Sequence, residues 1–149
     1  MKRLEFSIEI NAPVEKVRDT MLSDEGYRIW SLEFNAAGSW YEGDWLEWSE
    51  IRFLGPDPRH PEDIGGMYGK IRENRLYEYV GIEYYGEIQN GKIIPKKERH
   101  GAQENYKFKH LEEGKTLLMI ELDTTDDVAN FMSELRPKAL KKLKSMCEE

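Results

Sequence analysis

The chain has 149 residues, 34% of them charged, with 22 lysines and arginines against 29 aspartates and glutamates and a formal charge of -7. That length fits one domain, 1–149, able to bury roughly 70% of its unfolded surface; the acidic balance excludes nucleic acid and anionic membranes as expected partners, since basic residues chiefly hold both. No run of about 18 apolar residues occurs, the N-terminus enters an alternating pattern at once and Cys147 has no second cysteine to pair with, so a cytoplasmic protein without membrane insertion is expected.

Leu4, Phe6, Ile8 and Ile10 alternate with Arg3, Glu5, Ser7 and Glu9, the period of a half-buried strand. Asn11-Ala12-Pro13 ends it, with Asn11 or Ala12 at the cap and Pro13 in the first turn of a short helix whose apolar face is Val14, Val17, Met21 and Leu22. Ser23 or Asp24 caps a second helical piece toward Trp30, and 31–41 reads as a loop around Gly38. Five further strands follow: Asp44 to Phe53, closed by Gly55-Pro56-Asp57-Pro58; Gly66 to Arg75; Tyr77 to Gln89; and, beyond the Asn90-Gly91 turn and a Lys/Glu-rich hairpin end, Gln103 to Leu111 and Thr116 to Thr124. From Asp126 to Glu149 the pattern is one long amphipathic helix. Val128, Met132, Leu135, Ala139, Leu143 and Met146 share a face, and Pro137 predicts a bend near Arg136.

A helix with so wide an apolar face needs a surface to lie on, and the strands supply one. The expected fold is α+β: a curved antiparallel sheet of six to seven strands wrapped around a long C-terminal helix. A space beneath the bent helix is the principal functional lead.

This order of elements, with the opening Phe6-Ser7-Ile8-Glu9-Ile10-Asn11-Ala12-Pro13-Val14-Glu15-Lys16-Val17 and the closing Arg136-Pro137-Lys138-Ala139-Leu140-Lys141-Lys142-Leu143-Lys144, resembles the START/Bet v 1-like superfamily of helix-grip proteins, also called the polyketide cyclase and lipid-transport superfamily. Gly43-Asp44-Trp45, Gly65-Gly66-Met67 and Glu104-Asn105-Tyr106-Lys107-Phe108 are most similar to its bacterial SRPBCC branch, which also resembles the C-terminal domain of a heat-shock chaperone ATPase activator. The resemblance implies the fold over essentially the whole chain. It leaves activity open among ligand carriers, hormone receptors, cyclases and chaperone regulators.

Motifs for standard chemistries are missing. Gly86 to Lys92 has phosphate-loop spacing, but Ile93 stands where a Ser or Thr should follow, and the glycines border a turn instead of a strand-to-helix loop. His60, His100 and His110 show no metal-ligand spacing, and Cys147 near the chain end is a poor nucleophile, so no metal and no cofactor is expected.

Aromatic and methionine side chains are the remaining signal. With Ile51 and Phe53 inward, alternation places Trp45, Glu47 and Ser49 on the same face; Met67, Gly69, Ile71 and Glu73 share another inward set, as do Val80, Ile82, Tyr84 and Ile88, and Glu104, Tyr106 and Phe108. Several carboxylates on one concave face require water, hydrogen bonds or a bulge that turns some outward; Glu73 and Glu104 are expected at solvated strand ends, and Glu47 toward the concavity. The expected function is binding of a small hydrophobic or aromatic ligand by Trp30, Trp45, Glu47, Met67, Tyr84, Tyr106, Phe131, Met132 and Leu135. Two alternatives stand beside it. One is a protein-interaction module with an apolar patch near Trp40, Tyr41 and Trp48, and the other a cyclase or dehydratase with Glu47 as general base and Tyr84 or Tyr106 as donor.

Overall fold

The computed structural model describes the backbone of residues 1–149 and every side chain except that of Arg99. In chain order the elements are β1 (Lys2–Ile10), α1 (Val14–Leu22), α2 (Asp24–Trp30) with a 3-10 turn (Ser31–Glu33), β2 (Trp40–Glu42), β3 (Glu50–Pro56), β4 (Ile64–Arg75), β5 (Tyr79–Gln89), β6 (Lys92–Pro95), β7 (Ala102–Glu112), β8 (Lys115–Thr124) and α3 (Asp126–Cys147). The strands form one sheet in the order β1-β8-β7-β5-β4-β3-β2, with β6 also paired to β5. Every pairing is antiparallel. None of the helices is long and apolar enough to cross a membrane.

The sheet has two more strands than the six read from the sequence. β2 and β6, at 3 and 4 residues, are too short to show a period of two and fall where loop was expected. The larger departure is at 44–49. Asp44 to Ser49 is not strand: Trp45 and Trp48 both take φ 67°, and the turn is tied laterally to β4 by Trp48 N–H donating to the Ile71 carbonyl and Ile71 N–H donating to that of Ser49. Alternation therefore starts only at Glu50. Glu47 is exposed, and its carboxylate accepts the Asn74 backbone N–H, so it does not point into the concavity.

The helices follow their local signals. Ser23 Oγ accepts the Gly26 N–H to cap α2, and Pro13 is itself the N-cap of α1 where Asn11 or Ala12 was expected, so that helix starts later in the chain than read from the sequence. α3 starts after Thr125 with Asp126 and Asp127 in its first turn, where their charge complements the helix dipole. It packs against β1, α1 and α2. Its buried stripe is Ala129, Arg136, Ala139, Leu140, Leu143 and Cys147, a regular helical spacing interrupted by one charge. The C-terminal half is held down by apolar burial and by two polar ties to the end of β1: Lys144 Nζ donates to the Glu9 carbonyl, and Glu148 accepts the Asn11 N–H. The N-terminal half lies higher, with Phe131 49% exposed.

At β3–β4 the chains approach so closely that only glycine fits at 66. Its φ is 153°, and a Cβ there would lie 1.7 Å from the Phe53 carbonyl oxygen. Gly66→Ala should lower unfolding free energy by at least about 2 kcal/mol in urea titrations, because both strain and a backbone clash must be relieved.

Candidate functional site

Between the N-terminal half of α3 and the concave face of the sheet lies a cavity of about 890 Å³, within the roughly 300–1,000 Å³ of ordinary small-molecule sites. Its wall is a chain of ring contacts. Tyr27 meets Trp30 at 5.0 Å and Phe53 at 5.8 Å, Trp30 meets Phe34 at 6.4 Å, and Phe53 meets Tyr84 at 6.1 Å between centroids. These are edge and tilted geometries favoured by the ring quadrupoles. The Trp30 indole N–H is satisfied by the Met21 carbonyl, which fixes its plane. At the mouth stand the loop after β3, the β5–β6 turn and Phe131.

A charge cluster forms the floor. Glu104 on β7 and Arg136 on α3 are 8% and 3% exposed, and Arg136 Nη2 donates to Glu104 Oε2 at 3.1 Å. Tyr84 donates to Glu104 Oε1 at 2.9 Å, and Tyr106 donates to Oε2. One carboxylate thus gathers three donors from three elements. Arg136 also lies over the Phe34 ring, 4.9 Å from its centroid, a cation–π contact from the opposite side. Its Nε is buried with no partner.

Burial alone would lower the Arg136 pKa, but attraction to Glu104 and to the two phenols outweighs it, so the guanidinium is held still more firmly charged. Burial, and then the Glu104 charge, push the Tyr84 and Tyr106 phenols well above their usual range. Tyr27 is raised for the same two reasons. All three therefore remain protonated donors at neutral pH.

The sequence-predicted residues divide between this site and its surroundings. Trp30, Met67, Tyr84, Tyr106, Phe131 and Met132 line the cavity. Trp45, Glu47 and Leu135 do not. Trp45 is buried behind the wall, 5.2 Å from Tyr41 and 6.1 Å from Phe53 between centroids, and Leu135 is half-buried on a neighbouring face of α3. Exposed in its turn, Glu47 is outside the cavity where a general base would be needed. Glu73 is turned aside by a register shift between Ile71 and Glu73 and pairs with Arg72 and Arg75, whereas Glu104, expected at a solvated end, is the buried one. Arg136, Tyr27, Phe34 and Phe53 were not among the predicted site residues. The available signal for Arg136 was its place on the stripe Ala129, Met132, Arg136, Leu140 and Leu143, where a charge requires a buried partner.

No family model and no curated protein matches the chain. Solved structures do. The Aha1 dimer protein from Colwellia psychrerythraea superposes with TM-score 0.70 at 18% identity, covering 99% of this chain and 97% of that one. The AHSA1-like protein from Aeromonas hydrophila gives TM-score 0.63 at 13% identity over 95% and 90% of the two chains. The di-domain ARO/CYC StfQ of the steffimycin biosynthetic pathway gives 0.63 at 18% identity, covering 97% of this chain and 44% of that one. The chain shares the α+β helix-grip fold of these structures. At these identities the likeness establishes fold alone, and function rests on the site.

Two measurements test the floor. Arg136→Met or Glu104→Gln alone should each destabilise by about 3–5 kcal/mol in urea titrations, since one partner is left buried without the other, while the double substitution should cost markedly less than the sum. The phenols set the alkaline limit. They are protonated in the folded protein at a pH where unfolded tyrosines ionise, so their contribution is complete below about pH 10 and falls above it by up to about 1.4 kcal/mol per pH unit per tyrosine. Tyr84→Phe/Tyr106→Phe should flatten that slope between pH 9.5 and about 11.

Proposed function

We propose that the chain binds a small, mostly apolar molecule in the cavity beneath the N-terminal half of α3, with the polar end of that molecule at the Glu104–Arg136–Tyr84–Tyr106 floor. The observation that carries this reading is the combination of an aromatic wall with a buried ion pair on one open cavity. A few fixed polar groups within an apolar enclosure are what orients a small ligand. The rings supply contact area with few rotatable bonds, and the half of α3 above them is the half not tied to β1.

Leu46 and Trp48, 63% and 69% exposed, favour a second reading as a protein-interaction module. A tryptophan displayed at φ 67° is held out by its turn, and exposed large apolar side chains in a rigid turn are suited to a partner surface.

The readings separate experimentally. A panel of fatty acids, flavonoids and small polyketides should include a compound that raises the melting temperature and quenches Trp30, and Met132→Trp, which fills the cavity, should abolish that response with the fold intact by circular dichroism. A ligand at one hundred times its Kd should stabilise by about 2.7 kcal/mol. Were no compound to shift the melting temperature, and were a protein captured by the wild type lost with Leu46→Ser/Trp48→Ser but kept with Met132→Trp, the interaction reading would replace the first.

A further inference from the structure

Tyr27, on α2, stands in the ring wall of the cavity. Contacts with the rings of Trp30, Tyr41 and Phe53 fix its plane. Its hydroxyl is not fixed in the same way. Tyr84 and Tyr106 give their protons to Glu104, Tyr41 gives its own to the Leu22 carbonyl and the Trp30 indole N–H goes to Met21, whereas the Tyr27 hydroxyl bonds to no other described residue.

An unpartnered hydroxyl is either sealed into the packing or open to a space. Tyr27 is half-buried, and its oxygen is not among the polar side-chain atoms enclosed without a partner, as Trp45 Nε1 and Arg136 Nε are. It therefore meets open space. That space is an interior one: burial is the chief influence raising the phenol's pKa, with the charges of Glu104 and Arg136 next, so the oxygen lies deep and close to the floor. The cavity that Tyr27 lines is the space such an atom reaches.

A phenol that stays protonated is a neutral donor, and its own oxygen is a weak acceptor because a lone pair is shared with the ring. Such a donor costs free energy when no acceptor faces it. An oxygen carried in on an apolar body relieves that cost, and a hydrocarbon does not. Resting on the reading of the cavity as a ligand site, we infer that Tyr27 contacts the ligand directly, its hydroxyl donating to a carbonyl oxygen, that of a ketone or an ester, on an otherwise apolar or aromatic molecule.

Two naphthalenes of matched size test this with the full chain by isothermal titration calorimetry at pH 7. 2-Acetylnaphthalene should bind the wild type about five-fold or more tightly than 2-ethylnaphthalene, the fold-change of one neutral hydrogen bond. Tyr27→Phe keeps the ring and removes the hydroxyl, so it should weaken the ketone alone and bring the two compounds within about two-fold of each other. The free protein gives a second readout. With no protein partner to lose, Tyr27→Phe should leave its melting temperature unchanged or raise it, whereas Tyr84→Phe, which strips a bond from Glu104, should lower it. Three results would overturn the role of Tyr27 and leave cavity binding standing: a wild type that does not prefer the ketone, a preference that survives in Tyr27→Phe, or a free Tyr27→Phe protein that melts as early as Tyr84→Phe. Binding of neither compound by the wild type would overturn both.

Discussion

One buried ion pair joins the two layers of this protein. Glu104 comes from the middle of the sheet and Arg136 from the helix above it, and no other salt bridge found among the described side chains is as buried on both sides. Taking two charges out of water costs several kcal/mol per ion, so the pair holds only because its remaining bonding capacity is used. Two phenols complete the carboxylate and a Phe34 ring covers the guanidinium. The consequence is geometric. A guanidinium needing both partners at once fixes the height and rotation of α3 over β5 and β7, in the half of the helix where apolar burial is thin.

Pro137 directly follows that arginine. A proline inside a helix removes one backbone hydrogen bond, at a cost of about 3 kcal/mol or more in an ordinary helix interior. Here it lies on an exposed face between a floor of charge on one side and a close-packed end on the other. From Ala139 to Cys147 the stripe is buried against β1 and α1; before Pro137 it crosses the cavity, supported by Ala129, Met132 and the ion pair. Burial of each large side chain in the C-terminal half contributes roughly 1.5–3 kcal/mol. That half anchors the helix, which leaves the other half to roof a space that a well-packed interior would have closed.

Legibility in the sequence followed the strength of the period. β1, β4, β5, β7, β8 and α3 each carry enough residues for alternation or helical spacing to show, and their order is what made the helix-grip readable. Alternation failed where the backbone left the strand: a run such as Asp44 to Ser49 keeps an apolar-polar rhythm, but two tryptophans at positive φ break the geometry that gives the rhythm meaning. The inward set on β7 was right in direction for Glu104 and wrong in solvation, because burial of a carboxylate depends on donors from α3 and β5 that alternation within β7 does not contain. Arg136 was lost by a phase error of about one residue. The stripe drawn through Leu135 and Met146 runs beside the one that is buried, through Arg136 and Cys147. A pairing across 32 residues, between a strand and a helix, has no local signature.

The fold therefore accounts for the cavity, and the polar residues account for what it could admit. Helix-grip neighbours with 13–18% identity retain the shape while most side chains differ, so nothing in the architecture alone ranks one ligand over another. Here the cavity's side chains are layered, with rings along the wall and a buried ion pair at the floor. The bond between Arg136 and Glu104 makes the burial of both tolerable, while Arg136 Nε keeps no partner inside the packed interior. Supplying that N–H with a protein partner should then make the protein more stable, since a buried donor left unpaired costs free energy that a satisfied one does not.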